Sequence, residues 1–135
     1  MPRILIAYLA TTAVLFAMDL VWLSLATSRF YRVHLGGLLL EKPNLAVAGL
    51  FYLIYVGGVV VFAVTPALNA GAWTTALLLG ALLGLIAYGT YDFTNLATLK
   101  GWPAVVSIVD LAWGITATAI SATLGYLITR KLGGE

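Results

Sequence analysis

Residues 85–103 read LIAYGTYDFTNLATLKGWP. The stretch closes a long apolar run, yet it carries Tyr88, Thr90, Tyr91, Asp92, Thr94, Asn95 and Thr98. On a helix, Tyr88, Asp92, Asn95 and Leu99 fall on one side, because residues three or four apart share a face. The run stops at Leu99 to Pro103, and another apolar run begins at Ala104. Two apolar helices joined by so short a turn must be antiparallel neighbours. The reading is therefore a helical bundle with polar side chains set into its apolar walls.

Composition places that bundle in a membrane. The chain has 135 residues, 62% hydrophobic and only 9% charged. Soluble domains carry about 25% charged residues. The length suits one domain, 1–135. A net charge of +2 is too small to suggest nucleic-acid binding. Without cysteine, disulfides, thiolate zinc sites and iron–sulfur clusters are excluded.

Outward from the opening stretch, the apolar runs predict an all-α, integral membrane four-helix bundle. Its helices cover about 4–27, 45–64, 73–98 and 104–129, each long enough for the roughly 20 residues a span needs. A cleaved signal peptide is the alternative for the first run, but that run is long for one and contains Asp19. Ser28 to Asn44 holds Arg29, Arg32, His34, Glu41 and Lys42, interleaved with Phe30, Tyr31 and Val33. It reads as an interfacial segment lying on the headgroups. Thr65-Pro66 is read as the end of helix two, with Ala67 to Ala72 as a turn. Tyr8, Trp73 and Tyr126 mark the interface on the side of both termini, and Phe30, Tyr31 and Trp102 the opposite one. Basic residues divide three (Arg3, Arg130, Lys131) against four (Arg29, Arg32, Lys42, Lys100), too evenly for the positive-inside rule to set orientation. The expected side for the termini is the cytoplasm.

Two further aspartates echo Asp92. Asp19-Leu20-Val21-Trp22 and Asp110-Leu111-Ala112-Trp113 each place an aspartate three residues before a tryptophan, inside apolar runs. They share the pattern D-L-x-W-x-x-x-A-T in helices of opposite direction. Inverted repeats of that kind occur in transporters, although the match is short enough to arise by chance. Asp92 lies about 10 Å past the middle of helix three at 1.5 Å per residue, toward the 99–103 turn. Asp110 lies similarly placed toward the same turn, and Asp19 toward the 28–44 loop. In a four-span chain those loops are on one side, so all three aspartates share one half of the bilayer. Tyr52 and Tyr55 lie near the middle of helix two, where they can reach inward.

An aspartate at a helix centre in hydrocarbon costs at least ~2.5 kcal/mol, so it faces protein or water and has a partner. The candidate ligand-binding set is Asp19, Trp22, Tyr52, Tyr55, Tyr88, Tyr91, Asp92, Asn95, Asp110 and Trp113, forming an aspartate-lined polar cup. The structural reading of the same residues is a bundle lock, with the aspartates paired to Arg29, Arg32 or Lys100 and to Tyr and Asn side chains. Trp22 and Trp113 also suit packing, and Gly114, Ala117, Thr118, Ser121 and Gly125 suit close helix contact. His34 reads as a headgroup contact. No spacing motif supports a metal site, although Asp92, Asn95 and Asp110 offer oxygen ligands to a hard cation. No Ser-His-Asp, HExxH, P-loop or GxGxxG pattern is present, so no catalytic residue and no cofactor is assigned.

Four blocks carry a family resemblance: MDLVWL (18–23), FYRVHLG (30–36), AYGTYDFTNLATLKGWP (87–103) and VDLAWG (109–114). Together they resemble the bacterial membrane proteins catalogued as domain of unknown function 2177, over essentially the whole chain. The resemblance implies four transmembrane helices, a multi-pass place in the bacterial inner membrane, and a setting beside membrane fatty-acid modification. It implies no catalytic residues. The expected role is binding, and moving, a small polar or cationic ligand. The alternative is an accessory subunit of a lipid-modifying system, with the polar cluster as packing. Expected partners are the bilayer and either a second copy or a membrane enzyme.

Overall fold

Arg3–Ala26 contains neither glycine nor proline, so nothing interrupts the helix that starts after Pro2. In the computed structural model, which describes residues 1–133, that helix does not stop at residue 27. It continues through a widened π turn, Thr27–Tyr31, an α turn, Arg32–Leu35, and a 3-10 turn, Gly36–Leu38. The whole element, α1, is Arg3–Leu38. The expected end at residue 27 is too early because Ser28 to Leu35 supply no breaker. The first is Gly36, whose φ of 40° suits only a residue without Cβ. A straight helix of 36 residues would span about 54 Å, well over the ~30 Å of hydrocarbon. Its end, with Arg29, Arg32 and His34, therefore belongs to the interfacial layer.

Asn44 starts the second helix by accepting the Val47 N–H at 3.2 Å, the usual role of an Asn N-cap. This helix, α2, is Leu45–Ala70, and Thr65-Pro66 lies inside it rather than at its end. Proline lacks an N–H and crowds the carbonyl one turn back. Here the turn before it, Val60–Val64, is widened to a π turn, which absorbs the misfit. The third and fourth helices, α3 (Trp73–Thr98) and α4 (Ala104–Leu132), flank the short turn predicted between them.

All four helices are long and apolar enough to cross a membrane. The outer faces carry exposed Leu, Ile, Val and Phe side chains, as lipid contact requires. Packing is uneven along the bundle. At the end holding the termini, Ala7, Val60, Ala63, Val64, Ala76, Ala122 and Tyr126 close the core. Small residues there let backbones approach, the main source of helix association in lipid. Toward the other end Leu15, Val56 and Ala117 form a smaller buried cluster. The first half of α2 leaves the bundle, with Leu45, Val47, Leu50, Phe51, Leu53 and Ile54 exposed. A gap opens there, in the half that holds the aspartates.

Four spans place both termini on one side. Reporter fusions at residue 1 and after the last residue should give the same sidedness. Opposite signals would overturn the four-span arrangement, and a mixed signal would show insertion in both orientations.

Candidate functional site

The gap is a cavity of about 360 Å³ lined by all four helices. From α1 come Leu15 and Asp19, from α2 Ala48, Phe51, Tyr52 and Tyr55, from α3 Ala87, Tyr88 and Tyr91, and from α4 Asp110. Six of the ten residues singled out from sequence thus meet at one place. The volume lies within the roughly 300–1,000 Å³ of small-molecule sites. Two acidic groups and four tyrosines supply hydrogen-bonding groups and negative ring faces in an otherwise apolar wall.

Each lining group is set by local packing. Tyr88 lies flat on Gly114 of α4, where a Cβ would occupy the space of its ring. Tyr55 is hydrogen-bonded to Thr118 Oγ1 at 2.7 Å and packs edge-on against Tyr88, ring centroids 6.2 Å apart. The buried hydroxyl of Tyr52 has no protein partner. A second, almost wholly apolar groove of about 560 Å³ runs between α1 and α2 and shares Asp19, Ala48 and Tyr52 with the first cavity.

Trp22 and Trp113 stand outside the cavity and hold its acids in place. Their rings stack at 4.6 Å with 6° between planes. Trp113 lies beside Asp19. Trp22 Nε1 donates to the Tyr31 hydroxyl at 3.2 Å, and Tyr31 donates to Asp110 Oδ1 at 2.6 Å. Tyr31 reads from sequence as an interface marker, and its link to Asp110 is not legible there. Nine residues separate it from Trp22, about two and a half α-helical turns, which would put the two on opposite faces. The π turn Thr27–Tyr31 breaks that periodicity and returns Tyr31 to the face of Trp22. Thr118 escapes the reading for another reason, since in sequence it belongs to a stripe of small packing residues.

Asp92 and Asn95 do not line the cavity. Asp92 is wholly buried in the seam between α3 and α4, beside Asp110. Neither of its carboxylate oxygens has a hydrogen-bond partner. Ser107 bridges the same seam, donating to the Asp92 carbonyl at 2.7 Å and accepting from Trp102 Nε1 at 3.0 Å. Asn95 is half-buried further along α3, and its carbonyl accepts the Leu99 N–H at 3.0 Å. The aspartates do not pair with Arg29, Arg32 or Lys100. The partner of Asp110 is Tyr31, Asp19 lies beside Trp113, and Asp92 has no partner on its oxygens. Among the described residues, no group of three or more His, Asp or Glu is placed to hold a metal ion.

A family model described as a predicted membrane protein, DUF2177, matches residues 4–127. The chain belongs to that family. The match includes most of all four helices and every residue of the cavity, so the candidate site of this DUF2177 protein lies within the family's common region. No curated protein and no solved structure matches the chain.

Proposed function

We propose that this membrane protein binds a small organic cation in the cavity between its four helices. The observation that carries the reading is the lining itself. Asp19 and Asp110 face a space walled by Tyr52, Tyr55, Tyr88 and Tyr91. Carboxylates attract an ammonium group, and tyrosine faces hold one within about 6 Å by cation–π attraction. Neither acid is neutralised by a lysine or arginine, so the charge is left for a ligand. The cavity shares Asp19, Ala48 and Tyr52 with the apolar groove between α1 and α2, which is the proposed entry for a ligand from the lipid. The inner membrane is the proposed location, and passage of the ligand across it the proposed consequence of binding. Asp92 and Asn95 support the cavity from behind in this reading, and Trp22 and Trp113 hold its acidic rim.

The rival reading is a packing role in an accessory subunit of a lipid-modifying system. The ties Trp22–Tyr31–Asp110 and Tyr55–Thr118 favour it, because they join α1 to α4 and α2 to α4. Thermal melting in detergent separates the two. Tetramethylammonium and choline should raise the melting temperature in a saturable way, while sodium at equal ionic strength should not. A flat response to both ammonium probes, together with co-purification of a stoichiometric membrane enzyme, would replace the cation reading with the rival.

A further inference from the structure

Asp92 is the most anomalous side chain in the bundle. It is fully buried, and both carboxylate oxygens lack a donor. Buried polar groups are almost always satisfied, so this one needs an explanation. Its neighbour is another acid, Asp110. Two ionised carboxylates offer only acceptors to each other, and their like charges repel in a medium that screens them weakly. A single proton changes the contact, because a neutral carboxyl donates to the carboxylate beside it. Asp110 Oδ1 already accepts the Tyr31 hydroxyl at 2.6 Å.

Asp110 is also the member of the pair that lines the cavity, whereas Asp92 does not. It is therefore the point at which a ligand and the buried acid meet. Resting on the cation-binding reading of the cavity, we infer that the Asp92–Asp110 pair stores one proton and gives it up when a cation occupies the cavity. The ammonium group takes over the role of the proton in compensating charge, and the displaced proton passes to water. The other titratable groups beside the pair or on the same cavity are Asp19 and Tyr31 from α1, Tyr52 and Tyr55 from α2, and Tyr88 and Tyr91 from α3. Of these, Tyr31 donates to Asp110. Asp19 adds a second negative charge that draws the cation in.

The experiment uses the full chain in detergent, with tetramethylammonium as the probe, and reads two signals. Infrared difference spectra report the carbonyl stretch of a neutral carboxylic acid. A dye in weakly buffered solution reports proton release. Wild type at neutral pH should show the acid band, lose it on adding the probe, and release one proton per cation bound. Its affinity should rise with pH, approaching about tenfold per unit, the limit for exchange of one proton. Asp92→Asn should remove the acid band, the proton release and the pH dependence of affinity. Asp92→Glu, which keeps the carboxyl, should restore all three in part and guards against a fold-wide effect of the asparagine. Absence of the acid band from ligand-free wild type would overturn the stored proton whether or not a cation binds. Cation binding with the band unchanged and no proton released would overturn the exchange and leave the cavity's assignment standing. Failure of the probe to bind, with the band present, would instead remove the cation reading and the exchange with it.

Discussion

Replacing Gly84 by valine is expected to separate α3 from α4 and to give the largest loss of folding of any single change in this chain. A Cβ built on Gly84 would meet the Gly114 carbonyl oxygen and Cα of Ile115. Both are backbone atoms of the facing helix, so no side-chain rotation relieves the clash. Overpacking a well-filled interface costs about 1–3 kcal/mol, and more where the obstacle cannot move. Close approach through small residues is also the main force holding such helices together in lipid. The damage should extend to the site, because Gly114 is the surface on which Tyr88 lies. The measurement is the fraction of monodisperse protein and its melting temperature in detergent. Gly58→Val is the control, since nothing lies within 4 Å of a Cβ there, and it should behave as wild type. A Gly84→Val protein as stable as that control would show that α3 and α4 do not depend on this contact.

Asp19→Asn should produce the largest loss of ligand binding while leaving the fold nearly intact. Asparagine matches aspartate in shape and keeps a polar oxygen beside Trp113, the neighbour of Asp19. Interhelical hydrogen bonds in membranes average about 0.6 kcal/mol, so the ligand-free melting temperature should move little. The charge facing the cavity is gone, however. Removing one partner of a close charged pair costs about 2–5 kcal/mol, or roughly thirtyfold or more in affinity. Titration of wild type and variant with tetramethylammonium, followed by melting temperature, reads the difference. Equal affinities would take Asp19 out of the cation site. A large drop in ligand-free stability would show that its charge serves the fold instead.

The two substitutions act on features that differ in how far they can be read from residues alone. The helices could be read because span length and breakers are local properties. About 20 apolar residues cross a bilayer whatever surrounds them. The place of the aspartates along the membrane normal could be read too, since helical rise is constant. That reading put Asp19, Asp92 and Asp110 in one half, with Tyr52 and Tyr55 near the middle of helix two; of these, Asp19, Asp110, Tyr52 and Tyr55 share one cavity. Helix ends were less legible. Thr27 and Thr65-Pro66 look like stops, yet π turns at Thr27–Tyr31 and Val60–Val64 carry both helices onward. A π turn has no composition of its own, because it answers to strain and neighbours.

The direction in which each acid faces is the clearest division. In a soluble helix, an apolar stripe on a polar background marks the inner face. Here lipid tails are as apolar as the core, so every face of a helix is apolar and the stripe vanishes. Sequence alone therefore determined that this protein is a four-span membrane bundle of the DUF2177 family. Only the tertiary structure decided how the helices are rotated about their axes. That rotation turns Asp19 and Asp110 into the cavity and Asp92 into the α3–α4 seam, where the two helices meet closely at Gly84. It also brings Tyr31 to Asp110. These contacts are between residues far apart in the chain, and no local periodicity encodes them.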